Sequence, residues 1–292
     1  MVVASHCGFC QNYMDASRFN VKFSFTLTDF NAILEEFQQQ TGADYQFHGC
    51  ETQLTLPKKF GAGSLRFVRL QDGLNLYVNE HVLEENLVLE CLETSSEYSQ
   101  IVLKFYLSGL MSGSIRGIND EMLGLPGSCA FIHWPEGMAG AAEFVSGSKI
   151  CTIDLSITPE LLRAMIDESD ESHPVELQRL LNSVQVPYRQ PGQTSPLMAI
   201  ALQQILHCPY QGATRRLYLE SKGLELIALY LDQLKAEQPS PPKTYRLKPE
   251  DISQIYQARD ILIRQMDSPP SLPSLARQVG INQQKLKQGT SF

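Results

Sequence analysis

The period of the apolar residues changes once along this chain, and that change limits what it can fold into. From Leu54 to about Leu155 apolar side chains recur at every second position, whereas from Thr158 onward they recur at threes and fours. Strand and helix periods cannot coexist in one element, so a β-rich layer must precede a helical one. In the first part Leu65 and Phe67 share a face, as do Leu74, Leu76 and Val78, and as do Ile101, Leu103, Phe105 and Leu107. Gly73, Gly109, Gly113 and Gly127 are placed to supply turns. Several short strands with regular turns imply a barrel or sandwich. In the second part "SITPELLRAMI" opens a helix with Thr158 as cap, Pro159 at the first helical position and Glu160 near the positive dipole end. "SPLMAIALQQILHC" and "ATRRLYLESKGLELIALYLDQLKAEQ" follow as amphipathic helices.

The last of these helices is apolar on two sides. One stripe is Leu217, Leu224, Ile227, Leu231 and Leu234; the other is Leu219, Leu226, Leu229 and Tyr230. One side can cover the β layer. The other fits a second subunit, giving a homodimer through residues 217–234, or equally a second helix of the same chain.

A proline-rich stretch, "AEQPSPPKTYRLKPED", then closes this region, because Pro239, Pro241, Pro242 and Pro249 cannot share one helix. The resulting division is an N-terminal extension over 1–26, an α+β regulatory region over 27–236, a linker over 237–248 and an all-α unit over 249–292. Within 27–236 the chain is read as β-rich to about 155 and helical over 158–236. Net charge is −8, yet residues 243–292 hold eight Lys and Arg against four Asp and Glu. An acidic body with a basic end suggests that the end works near a polyanion. Seven scattered cysteines do not form a disulfide pattern, so reduced thiols in a cytoplasmic protein are expected. No apolar run reaches the about 20 residues that span a bilayer, and the first residues lack the pattern of a secretory signal.

In the tail, "KPEDISQIYQARDILIRQM" reads as a helix with Ile252, Ile255, Tyr256, Leu262, Ile263 and Met266 at core spacing. Ser271 or Ser274 caps a second helix with Leu272, Leu275, Ala276 and Val279 inward. Gly280 makes the turn, and Asn282 caps a third helix, "QQKLKQ", anchored by Leu286. Small Ala276, central Gly280 and Leu286 have helix-turn-helix spacing.

On "SLARQVGINQQKLKQG" the tail resembles the first helix-turn-helix of AraC/XylS-type transcription regulators. "ILHCPYQGATRRLYLESKGLELIALYL" and "FIHWPEGMAGAAEFVSGSKICTIDLSITPELL" resemble the siderophore-responsive, PchR-like branch of that family, common in cyanobacteria. The resemblance implies promoter DNA as a partner, with Gln283, Gln284, Lys285 and Lys287 toward it, and a small-molecule effector such as a ferric siderophore. In the family pattern the third helix continues past Gly289 into a second helix-turn-helix. The expectation is therefore a DNA-binding domain truncated within its first helix-turn-helix, with impaired DNA binding. A competing reading is a small-molecule-binding remnant, or an antagonist that does not touch DNA.

Other motifs carry less. Cys7 and Cys10, beside His6, have the spacing of half a zinc or redox site, without a second pair to complete it. Ser146 and Lys149 match SxxK without its companion motifs. Trp134, the sole tryptophan, ends a strand beside His133 and is the candidate effector contact. Arg215 and Arg216 open a helix where cations are unfavourable, which requires either a nearby carboxylate or an anionic effector. No nucleophile cluster, phosphate-binding loop or metal-ligand pair is present, so neither catalysis nor a cofactor is expected.

Overall fold

The computed structural model describes residues 21–27, 30–95, 99–118, 122–166, 177 and 187–237, and in the tail 254, 257–258, 261 and 270–280. The linker centred on Pro239–Pro242 lies outside these residues. The chain divides into two compact units, Met1–Ala236 and Glu237–Phe292.

The first unit is built on two sheets. The larger has eight strands in the order β13-β10-β7-β12-β5-β4-β3-β2. In chain order these are β2 (Asp44–His48), β3 (Glu51–Thr55), β4 (Gly61–Gln71), β5 (Leu74–Leu83), β7 (Gln100–Ser108), β10 (Ser128–Trp134), β12 (Lys149–Ile157) and β13 (Tyr188–Gln193). The smaller sheet runs β1-β6-β11-β8-β9, from β1 (Val21–Leu27), β6 (Leu87–Thr94), β8 (Met111–Ile115), β9 (Met122–Gly124) and β11 (Gly140–Phe144). Its β1–β6 pairing is parallel, whereas its remaining pairs are antiparallel.

The large sheet buries both faces, so its period-two pattern sorts residues between two cores. Leu74, Leu76, Val78, Ile101, Leu103 and Phe105 all point to one side, as their alternation requires. That side is covered by α2 (Pro159–Met165), α3 (Pro196–Leu206) and α4 (Gly212–Glu237) through Leu162, Met198, Leu202, Leu219 and Leu226. Tyr230 of α4 stacks on Phe131 at 5.3 Å. The opposite side packs against the small sheet through Tyr106, Ala130, Ile132 and Ile150, which meet Phe23, Leu87, Met111 and Phe144. Helix α1 (Phe30–Thr41) places Leu34 and Phe37 beside Leu54. Thr158 caps α2 by accepting from Leu161 N at 3.3 Å, and Ser195 caps α3 by accepting from Met198 N at 3.3 Å.

Three readings of the sequence need correction. Val21–Leu27 belongs to the regulatory fold and not to an extension ending at 26: Phe23 is buried, and the strand pairs with β6. Residues 188–193 form a strand inside the stretch read as helical. "YRQPGQ" has no apolar alternation, and Pro191 suits the edge position that β13 takes beside β10. Gly113 lies within β8 and not in a turn, because a Cβ there would meet Met122 and the Ala141 carbonyl. By contrast Gly73, Gly109 and Gly127 all have positive φ.

In the second unit, α5 (Leu272–Val279) is capped by Ser271, whose hydroxyl accepts from Ser274 N at 3.4 Å, and ends at Gly280 with φ +70°. Leu275, Ala276 and Val279 pack with Ala258 and Ile261. Ala258 was not among the expected core positions.

Candidate functional site

The two sheets do not close completely on each other. Between them lies a cavity of about 300 Å³, lined on the large sheet by Lys104, Tyr106, Asp154 and Trp134 and on the small sheet by Leu89 and Met111. A second space of about 160 Å³ adjoins it beneath α1, reaching Leu34, Phe37, Leu54 and His81, and shares Phe25, Asn79 and Leu89 with the first. The walls are almost wholly apolar, so the few polar groups stand out as orienting elements.

The main polar group is an ion pair. Lys104 and Asp154 face each other across the β7–β12 ladder, with Nζ donating to Oδ2 at 2.6 Å. Each side chain is only 15% exposed. Burial raises the Asp154 carboxyl above its ordinary range, with Lys104 acting in the opposite direction. Burial also works against the Lys104 ammonium, but Asp154 outweighs it and holds the lysine protonated. Asp154 Oδ1 is buried without a hydrogen-bond partner among the described residues. Burial raises the Tyr106 phenol, and Tyr106 also meets the ammonium at 5.8 Å from its ring centroid.

His81 faces the smaller space, its ring 5.5 Å from that of Phe144. Burial, and then the positive charge of Lys104, lower its pKa to about 4, so it is neutral near pH 7. Its Nε2 is buried and lacks a partner among the described residues.

Trp134 lines the large cavity with its ring against Gly140, whose Cα leaves room that a Cβ would fill. His133, its neighbour in sequence, points the other way, is buried, and has Nε2 3.3 Å from Ser99 Oγ. Arg215 and Arg216 take the plainer of the two expected roles. Arg215 donates to Glu51 at 2.7 Å, and Arg216 donates to the Leu70 carbonyl at 2.7 Å, which ties the start of α4 to the sheet. Ser146 sits in a turn hydrogen-bonded to Asn86 Oδ1, and Lys149 pairs with Glu80 at 3.0 Å on the surface. These two residues do not form a nucleophilic pair. On α4 Leu219, Leu226, Tyr230 and Leu234 are buried, whereas Leu217 and Leu224 are exposed.

Gln283, Gln284, Lys285 and Lys287 lie outside the described residues, as do His6, Cys7 and Cys10. Among the described residues no group of three or more His, Cys, Asp or Glu could hold a metal ion, and no helix is long and apolar enough to cross a membrane.

Sequence reasoning named Trp134, which lines this cavity, and did not name Lys104, Asp154 or His81, which line it or the adjoining space. The signal was available: Lys104 and Asp154 are charges set mid-strand among β-branched and aromatic neighbours, in "QIVLKFYLSG" and "ICTIDLSI".

The family model for the regulatory protein PchR N-terminal domain matches residues 62–247, more than half of the chain. The chain belongs to the PchR N-terminal domain family. The matched span runs from β4 through α4 and so includes Lys104, Trp134 and Asp154. The regulatory protein PchR of Pseudomonas aeruginosa is 40% identical over 92 residues. That stretch is 32% of this chain and spans 31% of the PchR length. Among solved structures, the AraC-like transcriptional activator CuxR superposes with a TM-score of 0.41 at 13% identity, covering 78% of this chain and 74% of CuxR. ToxT from Vibrio cholerae O395 gives 0.32 at 8% identity, covering 75% and 74%. Both scores are below 0.5, so the PchR assignment rests on sequence.

Proposed function

We propose that this chain is an AraC-type transcription regulator in which a small molecule held between the two sheets controls DNA binding by the C-terminal unit. The observation that carries the reading is the apolar cavity between the sheets with a buried Lys104–Asp154 pair, both residues inside the span matched by the PchR N-terminal domain. The strands that bear this pair also bear the helix contacts. On β7 and β12, Lys104 and Asp154 face the cavity while Leu103, Phe105 and Leu155 face the helices. A ligand that shifts the pair therefore shifts the bed on which α4 lies. The packing there is tight: a Cβ at Gly223 would come within 3.1 Å of Leu155 and 3.3 Å of Leu70. Close-packed contacts transmit such displacements with little loss.

Residue roles follow from this reading. Trp134 contacts the effector. Gln283, Gln284, Lys285 and Lys287 face the promoter, where glutamine suits adenine and lysine suits guanine or phosphate. The exposed Leu217 and Leu224 on α4 form a homodimer contact. The protein works in the cytoplasm and is not an enzyme. Resemblance to the PchR-like branch supports a ferric siderophore as effector and iron-uptake promoters as targets.

The test is Trp134 fluorescence titrated with ferric catecholate, phenolate and hydroxamate chelates, followed by gel shifts with and without the chelate that quenches. Binding that alters promoter affinity supports the proposal. An unchanged emission spectrum with every chelate removes the siderophore. A promoter affinity insensitive to a bound ligand removes the control mechanism.

A further inference from the structure

The ion pair in the cavity wall is not fully satisfied. Asp154 lines the space between the sheets, and its Oδ1 is buried without a hydrogen-bond donor among the described residues. Its other oxygen, Oδ2, takes the Lys104 ammonium at 2.6 Å. That is the one hydrogen bond the ammonium makes among the described residues, although it carries three N–H donors. Two polar neighbours in the wall donate elsewhere. Asn79 Nδ2 donates to Thr152 Oγ1 at 3.0 Å, and Ser112 Oγ donates to Glu143 Oε2 at 2.7 Å. A buried carboxylate oxygen without a donor is costly, and native interiors leave few of them. Here the missing donor belongs to a molecule that enters the cavity.

Charge decides what kind of molecule. Lys104 and Asp154 neutralise each other, and the walls around them are almost wholly apolar. An ion would enter without a counter-charge, into surroundings that solvate it poorly. An uncharged group that both gives and takes a hydrogen bond avoids that penalty. A hydroxyl does both from one atom: its O–H donates to Asp154 Oδ1, and its lone pairs accept a free Lys104 N–H.

Resting on the effector reading above, we propose that the inter-sheet cavity takes an uncharged aromatic molecule with a free hydroxyl, its ring against Trp134 and its hydroxyl bridging Asp154 and Lys104. Both hydrogen bonds are to charged partners, which strengthens them. A phenol oxygen bound to iron has no proton to donate, so a chelate that fits keeps one hydroxyl clear of the metal.

Three two-ring probes test this by titration calorimetry on the full chain: 2-naphthol, 2-fluoronaphthalene, which is close in shape but cannot donate, and the anion 2-naphthoate. Apolar walls alone would favour the fluoro compound, because a hydroxyl gives up water on entry. The expected result is instead a preference for naphthol of at least about tenfold over both others, the size of one hydrogen bond to a charged group. The double variant Lys104→Met with Asp154→Leu leaves no unpaired charge. It should abolish the preference while still binding fluoronaphthalene, which also shows that the variant is folded. Fluoronaphthalene binding as tightly as naphthol overturns the hydroxyl anchor and leaves the cavity as an effector site. Naphthoate binding tightest overturns the uncharged class. A preference that survives in the double variant overturns the role of the pair. If no probe binds at its solubility limit, this proposal falls, whereas the effector reading stands or falls with the chelate titration.

Discussion

His81 makes the stability of the regulatory unit depend on pH in a calculable way. Burial and the nearby Lys104 charge lower its pKa from 6.5 to about 4. The sign follows from the lowered value. Above pH 6.5 neither the folded nor the unfolded chain protonates this imidazole, so it contributes nothing to the pH dependence. Between pH 6.5 and 4 the unfolded chain takes up a proton that the folded chain refuses, and stability falls. Each unit of separation corresponds to about 1.4 kcal/mol, so the total loss reaches roughly 3 kcal/mol near pH 4. Lys104 stays charged throughout that window and cannot offset the effect. The perturbation is His81→Leu, which keeps an apolar side chain beside Phe144 and removes the unpartnered Nε2. Urea unfolding followed by tryptophan fluorescence at pH 7, 6, 5 and 4.5 gives both profiles, and carboxylates common to both proteins cancel in their difference. At pH 7 the variant should match or slightly exceed the parent. At pH 4.5 it should be more stable by about 2 to 3 kcal/mol. Parallel profiles over the whole range would falsify the placement of His81 in an apolar wall beside a cation.

The Lys104–Asp154 pair should behave as buried pairs do. Lys104→Met alone should cost about 3 kcal/mol, whereas Lys104→Met with Asp154→Leu should recover most of that loss in urea titrations, because no unpaired charge is left. Arg215→Ala leaves Glu51 without its 2.7 Å partner and should cost about 2 kcal/mol; removing Glu51 as well should cost less than the sum of the single changes, as a double-mutant cycle would record. Leu217→Asp with Leu224→Asp changes exposed residues, so the fold should persist by circular dichroism while sedimentation moves from dimer to monomer. A parent protein that sediments as a monomer at micromolar concentration removes the dimer proposal. Gly140→Ala would drive a Cβ into the Ser114 carbonyl and to 2.8 Å from the Trp134 ring, so it should both destabilise the β8–β11 pairing in urea titrations and shift the Trp134 emission; an unchanged spectrum with unchanged stability would mean that neither group packs on that backbone.

The sequence by itself determined the elements whose signal is local. Ile101, Leu103 and Phe105 alternate and are buried on one side; Leu219, Leu226 and Tyr230 recur at helical spacing and lie on the sheet. Thr158 and Ser271 cap the helices they precede, because capping needs only the next three residues. Trp134 could be singled out as the one large amphipathic ring at a strand end. Tertiary structure alone decided the cavity. Lys104 and Asp154 are 50 residues apart, and β1 finds β6 across about 60, so neither contact leaves a periodic trace in the chain. Residues 188–193 are a strand because β10 offers a free edge, not because "YRQPGQ" favours one. Side-chain period is set by each residue's neighbours in the chain, but a sheet's partners are chosen by which edges remain unpaired once the core has formed. The walls of this site belong to the second kind of choice.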